Sequence, residues 1–192
     1  MSYVKPARAT NDLMITTQRD TDPAALRHAL MELHRDAYIW ALNCCDRNRA
    51  DAEDVLQASY LKVLDGRARF EGRSSMLTWL FSIVRKTAAD QRRRRLMHKL
   101  LLDPLAIVMA NADPEPPAEV SIEQGQLRVG LTQALAALPR RQREVLLLVF
   151  YHDLTIEEAA RAMDTSLGSA RQHYARGKQR LRTLLTETGV SG

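Results

Sequence analysis

Between Leu167 and Leu185 the chain carries five basic residues, Arg171, Arg176, Lys178, Arg180 and Arg182, and no acidic one. Guanidinium and ammonium groups at helical spacing neutralise phosphates, and polar residues among them can bond base edges. The chemistry on offer is therefore nucleic-acid recognition rather than bond making. With about 100° of turn per helical residue, Ser169, Gln172 and Arg176 fall on one face, with Arg171, Lys178 and Arg182 along its flank. This arrangement sets base edges in the middle and phosphates at the margin. Gly168, at the amino end, lets the backbone approach a phosphate closely. Ala170, Tyr174, Leu181 and Leu185 recur at helical spacing on the opposite face, which is expected to dock on neighbouring helices.

Such a helix needs others to aim it. Leu138-Pro139 predicts the start of one, because proline fixes φ and lacks an amide hydrogen that a first helical turn leaves unpaired anyway; Val145, Leu146, Val149 and Phe150 follow. Thr155 and Glu158 have the spacing of a reciprocal capping box, opening a second helix through Ala159, Ala160, Ala162 and Met163. Asp164-Thr165-Ser166 is the expected turn, with Asp164 where a left-handed backbone is wanted. The whole stretch, 138 to 185, reads as a helix-turn-helix.

In the amino-terminal half, Asp22-Pro23 predicts a capped helix with Leu26, Leu30, Leu33, Ala37 and Trp40 or Ala41 on one face. A second begins near Ala50, with Asp51, Glu53 and Asp54 complementing its dipole, and stops at Gly66. Its expected core stripe is Ala52, Val55, Leu56, Ser59, Tyr60 and Val63, leaving Asp54, Gln57, Leu61 and Lys62 outward; an outward Leu61 between polar neighbours is a candidate protein-binding surface. Residues 66–77 predict a loop with one aromatic, Phe70, and small polar groups such as Ser74 and Ser75. Thr78 to Arg95 then predicts a helix with Trp79, Leu80, Ile83, Val84 and Thr87 inward and Arg85, Lys86 and Arg92 to Arg95 outward. A small-residue loop beside a basic helix has the components of a single-strand reader, the loop bonding an unstacked base and the helix holding the backbone.

A net charge of +5 hides a strong segregation: residues 66 to 100 hold ten Lys and Arg against two Asp and Glu, whereas 103 to 123 hold five acidic residues and no basic one. Pro114, Pro116 and Pro117 forbid a continuous helix there. The expectation is an all-α protein of two small helical domains joined by a flexible acidic, proline-rich linker. Its divisions are a disordered segment over 1–21, a first domain over 22–97, a linker over 98–126 and a helix-turn-helix domain over 127–186. Adjacent Cys44 and Cys45 match neither a disulfide framework nor a zinc spacing and are expected as buried or partly buried thiols. Five scattered histidines, singly placed glycines and no nucleophile elbow point away from catalysis, metal and cofactor. With no visible signal peptide and apolar runs too short to span a bilayer, the chain is expected to be soluble and cytoplasmic.

The order AEDVLQASYLKVL, RFEGRSSMLTWLFSIVRKTAADQRRR, an acidic linker, LPRRQREVLLLVFYHDLTIEEAARAM and GSARQHYARGKQRLRTLL resembles the extracytoplasmic-function sigma factors, over nearly all of residues 22 to 185. The resemblance implies a non-catalytic subunit that joins core RNA polymerase, directs it to promoter DNA and is commonly held by an anti-sigma factor. It implies polymerase contacts at Asp54, Gln57 and Leu61. It implies minus-ten contacts at Phe70, Arg73, Ser74, Ser75, Arg85, Lys86, Arg92 and Arg93. Minus-thirty-five contacts would come from Gly168, Ser169, Arg171, Gln172, His173, Arg176 and Lys178. Ala58, Lys86, Asp164, Gln172 and His173 depart from the usual pattern, where Glu, Asn, Gly and a Ser-Arg pair are common; the first bears on clamp binding, the others on promoter preference. A stand-alone helix-turn-helix regulator reading a palindrome, or a module that only titrates an anti-sigma protein, are the alternatives.

Overall fold

The computed structural model describes residues 23–102 and 122–187, and among these every regular element is helical. The amino-terminal half comprises α1 (Pro23–Glu32), α2 (His34–Cys44), α3 (Arg49–Leu64) and α4 (Met76–Leu102). The carboxy-terminal half comprises α5 (Ile122–Ala136), α6 (Arg140–Phe150), α7 (Ile156–Ala162) and α8 (Leu167–Glu187). The expected segment over 1–21 and residues 103–121 of the expected linker lie outside the described residues.

The single helix expected after Asp22-Pro23 is two. At Leu33 the backbone flattens to ψ −3°, although the amide of Leu33 still donates to Ala29 and that of Ala37 to Leu33. The bend lets α1 and α2 both lie on α3 and bury Leu26, Leu30, Ala37, Trp40 and Ala41. Asn48 opens α3, its side chain accepting from the amide of Asp51 at 3.0 Å, and the chain reverses at Gly66 with φ +69°. Ala52, Val55, Leu56, Ser59 and Val63 are buried as the stripe predicts, with Tyr60 half-buried. Lys62 is not outward: its ammonium donates to Thr87 on α4 at 2.9 Å, which carries its stem across the α3–α4 seam.

Helix α4 starts two residues before the expected Thr78, because the Ser75 hydroxyl accepts from the amide of Thr78 at 3.2 Å and so provides the cap. It continues to Leu102. Helix α5, which sequence patterning did not single out, begins at Ile122, so helix extends into both ends of the expected linker.

The helix-turn-helix is built as its residues dictate. Pro139 stands at the N-cap of α6, and the capping box of Thr155 and Glu158 opens α7, with both reciprocal bonds formed. Asp164 turns the chain at φ +48°, and the Ser166 hydroxyl accepts from the amide of Ser169 to start α8. Gly177 is a further requirement. It is buried in α8, and a Cβ there would stand 3.2 Å from Gln142 Cβ and Leu146 Cδ1, tight enough that any side chain would press α8 away from α6.

The two halves share one hydrophobic core. Trp40 and Phe81 stack with centroids 5.5 Å apart, the Trp40 indole donates to the Phe81 carbonyl, and His152 from the carboxy-terminal half packs edge-on to Phe81 at 4.6 Å. Val145, Leu148, Leu154 and Met163 join the same cluster. Cys44 is fully buried, and burial first, then the Glu144 charge, pushes its thiol well up; burial, then Asp51, pushes Cys45 up to about 12.

Two outcomes follow from this packing. Gly177→Val should lower the unfolding free energy by about 1–3 kcal/mol through overpacking, read as a lower urea midpoint at unchanged slope. At neutral pH both thiols should alkylate with iodoacetamide at least about 100-fold more slowly in the folded than in the urea-unfolded chain, because little thiolate is present; rapid labelling of the native protein would contradict the burial described.

Candidate nucleic-acid interface

Helix α8 presents Arg171, Gln172 and Arg176 to solvent, with Gly168 exposed at its amino end and Ser169 and His173 half-buried. Ala170 and Gly177 are buried on the side facing α6 and α7, as helical spacing requires. Ser169 also has a structural role, since its hydroxyl accepts from Ser166 at 2.9 Å. The Lys178 ammonium lies 5.3 Å over the Tyr174 ring, which stacks on Phe150. Lys178 thus sits at the seam between α8 and α6, exposed but drawn away from the middle of the open face.

The loop between α3 and α4 is less open than its composition predicts. Phe70 is buried and meets Trp79 edge-on at 5.3 Å, so its ring closes the base of the loop and is not presented for stacking. Around it, Arg73 is exposed and pairs with Glu71 at 3.0 Å, the Ser74 hydroxyl donates to the Ser75 carbonyl, and the Ser75 and Thr78 hydroxyls lie 2.8 Å apart. The exposed part of the candidate base-binding loop is therefore Glu71 to Arg73 and Ser75, held by the α4 cap.

The arginines of α4 divide into two groups. Lys86 and Arg92 to Arg95 are exposed as expected, Arg93 within 3.5 Å of Asp90. Arg85 is not outward as expected: it is only 14% exposed and its Nε donates to Glu144 at 3.1 Å. The reason is that α7 packs on α4 and the neighbouring α6 brings the Glu144 carboxylate to this side. Arg92 donates to the Cys44 carbonyl at 2.8 Å and lies 3.7 Å from Asp46. Arg95 bonds Asp51 on α3.

Sequence reading missed the groups that receive these arginines. Glu144 is 0% exposed and lies 2.8 Å from Arg140, 3.1 Å from Arg85 and 3.6 Å from Arg141. The Cys44 carbonyl, at the end of α2, accepts from Arg92 of one half and, at 2.9 Å, from Arg140 of the other. Two guanidiniums thus satisfy the negative end of that helix. Arg143 reaches Asp46 at 2.6 Å, and His152 stands 3.6 Å from Asp36. A signal for Glu144 was present: it lies next to Val145 and four residues before Leu148, on the stripe that must be buried.

Asp54, Gln57 and Leu61 share the exposed side of α3, where Leu61 is 52% exposed. Ala58 between them is half-buried, so a longer side chain there would reach the edge of this surface. Among the described residues no helix is long and apolar enough to cross a membrane.

Residues 30–96 match Sigma-70 region 2, and residues 128–181 match Sigma-70, region 4. The RNA polymerase sigma factor CarQ of Myxococcus xanthus is 34% identical over 143 residues, covering 73% of this chain and 78% of that protein. The ECF RNA polymerase sigma factor SigX of Bacillus subtilis is 30% identical over 152 residues, 78% of this chain and 77% of that protein. The fold is that of the sigma factor RpoE of Bartonella quintana, solved in complex with the anti-sigma factor NepR. It matches with a TM-score of 0.67 at 22% identity, over 84% of this chain and 96% of that chain. With both regions in order along one chain and relatives matched over most of their length, the chain belongs to the extracytoplasmic-function RNA polymerase sigma factors.

Proposed function

We propose that this protein is an alternative sigma factor that joins core RNA polymerase in the cytoplasm, recognises promoters through two separate DNA contacts and helps open the duplex. The observation that carries the reading is the presence of both sigma-70 regions in one chain, each on a helical scaffold with a basic surface. It is not an enzyme; its work is positioning. Opening DNA costs about 1.4 kcal/mol per stacked step on average. A base held in the loop from Phe70 to Ser75 and phosphates on Lys86, Arg92 and Arg93 would offset part of that cost.

In this reading Gln172 and Arg176 meet base edges of the minus-thirty-five element in the major groove, Arg171 and Lys178 meet its phosphates, and Gly168 allows a close phosphate approach. Gln172 and His173, which depart from the family's common Ser-Arg pair, would give this protein its own promoter preference. Asp54, Gln57 and Leu61 would form the surface for the polymerase clamp. Each DNA-binding half is small, so polymerase makes their contacts intramolecular, and the free chain should bind promoters poorly. By analogy with the RpoE–NepR complex, an anti-sigma factor is the expected regulator.

Transcription from a fragmented genomic library with bacterial core RNA polymerase, with and without the protein, should yield new RNA starts sharing two upstream elements. No new starts, with the polymerase active on another sigma factor, would sink the reading. On a promoter so found, Gln172→Ala should cost about 1–3 kcal/mol of holoenzyme affinity and relax preference at one position of the upstream element. Lys178→Ala should instead weaken binding to all sequences and reduce the salt slope by about one.

A further inference from the structure

Asp46, in the turn between α2 and α3, has more cations around it than one carboxylate can answer. Arg143 of α6 reaches it at 2.6 Å, and Arg92 of α4 lies 3.7 Å away. Arg92 also meets Arg140 of α6 on the Cys44 carbonyl, two residues earlier in the chain, at 2.8 and 2.9 Å. Arg47, the next residue along, is exposed, and partial desolvation, then the Arg143 charge, pushes its guanidinium pKa down. Like charges are thus held close together in this turn.

The other acids nearby are engaged elsewhere. Glu144 is shared among Arg85, Arg140 and Arg141, and Asp51 is taken by Arg95. Six guanidiniums, those of Arg47, Arg85, Arg92, Arg140, Arg141 and Arg143, therefore surround two carboxylates, those of Asp46 and Glu144. Arg140 also keeps a buried Nη1 without a hydrogen-bond partner. Asp46 and Arg47 both hold the left-handed backbone, at φ +50° and +67°, a strain that collects where a ligand is clamped.

The scale of the place selects the guest. A cavity of about 100 Å³ adjoins Asp46, with Gln91, Arg92 and Arg95 on its walls, far below the roughly 300–1,000 Å³ of pockets for drug-sized ligands. The side chains of Arg143 and Arg140 are only 16% and 24% exposed, too recessed for the backbone of a duplex lying on the surface. A single phosphoryl group is small enough to enter. It brings about −1.5 to −2 charge and three acceptor oxygens, so it can serve guanidiniums arriving from several directions, whereas a planar carboxylate serves two.

We propose that Arg47, Arg92, Arg140 and Arg143 form a binding site for a small phosphate-bearing ligand, with the Asp46 carboxylate standing where a phosphate oxygen would sit. Asp46 is 61% exposed and can swing into water as the ligand enters. The phosphoryl group belongs either to a free phosphate or pyrophosphate or to the end of a nucleotide whose base stays outside. The site goes beyond the sigma reading and does not depend on it; Arg92 is left unchanged in the test because that reading gives it a DNA role.

Isothermal titration calorimetry on the full chain, at fixed ionic strength, measures binding of inorganic phosphate, pyrophosphate and adenosine 5′-diphosphate. Pyrophosphate should bind once per chain. Arg47→Gln and Arg143→Gln should each weaken it by about tenfold. Asp46→Asn should tighten it by about threefold, because a competing charge is gone, and Arg27→Gln, an exposed site on α1, should change it by less than about twofold. Equal affinity for pyrophosphate and the nucleotide identifies the phosphoryl groups as all that is read; tighter nucleotide binding identifies a nucleotide as the source. If circular dichroism shows Arg143→Gln unfolded, Arg47→Gln decides, since its side chain is exposed. Binding that does not saturate, or that Arg47→Gln weakens no more than Arg27→Gln does, would overturn the site. Weaker binding in Asp46→Asn would overturn the displacement of that carboxylate. If a mixed-sequence duplex, and none of the small phosphates, loses affinity through Arg47→Gln, the arginines belong to the DNA surface and the proposal falls.

Discussion

Glu144 has no contact with water, and a carboxylate so placed is sustained only by cations that lose their own water to meet it. Two of those cations, Arg140 and Arg141, come from the same helix, one turn earlier. The third, Arg85, comes from the other half of the molecule. Much of the observed arrangement is consistent with that one requirement. Helix α6 must keep Glu144 within reach of Arg85 on α4, Arg140 is held where its second nitrogen also reaches the end of α2, and Arg141 is set to donate to the Met163 carbonyl that ends α7 at 3.1 Å. Removing one partner from such a set strands a buried charge at a cost of about 3–5 kcal/mol. Polar specificity and apolar burial coincide here, because Val145 and Leu148 flank Glu144 in the shared core.

The energetics of the interface have two parts of different character. His152 against Trp40 and Phe81, with Leu154 and Met163 nearby, contributes non-directional burial that would tolerate some sliding. The Arg–Glu and Arg–carbonyl bonds are directional and fix the register in which the halves meet. Surface pairs such as Arg161 with Glu157 at 2.5 Å contribute little by comparison, since water screens them.

Helix α8 is aimed by small steric facts more than by strong bonds. Thr155 and Glu158 fix where α7 starts, Asp164 accepts a left-handed backbone, and Gly177 lets α8 settle on Gln142 and Leu146. Those contacts determine which side of α8 remains outside, and Arg171, Gln172 and Arg176 occupy it. Tyr174 on Phe150 then closes the carboxy-terminal end of the seam and draws Lys178 toward it.

The sequence by itself determined the all-helical class, the helix-turn-helix with its caps and turn, the buried stripe of α3 and the exposed middle of α8. Each of these depends on residues within a few positions of one another, through periodicity, capping chemistry or a backbone preference. The family resemblance was legible for the same reason, as local motifs in order. The tertiary structure decided what becomes of long side chains at seams: that Phe70 turns inward onto Trp79, that Lys62 crosses to Thr87, and that Arg85 turns to Glu144 rather than to solvent. It also decided the partnership of Glu144 with Arg85, fifty-nine residues away in the chain. Helical spacing assigns a side chain to a face, but it carries no information about which distant segment will cover that face, and for a charged residue that neighbour determines whether it meets water, an ion partner or a ligand.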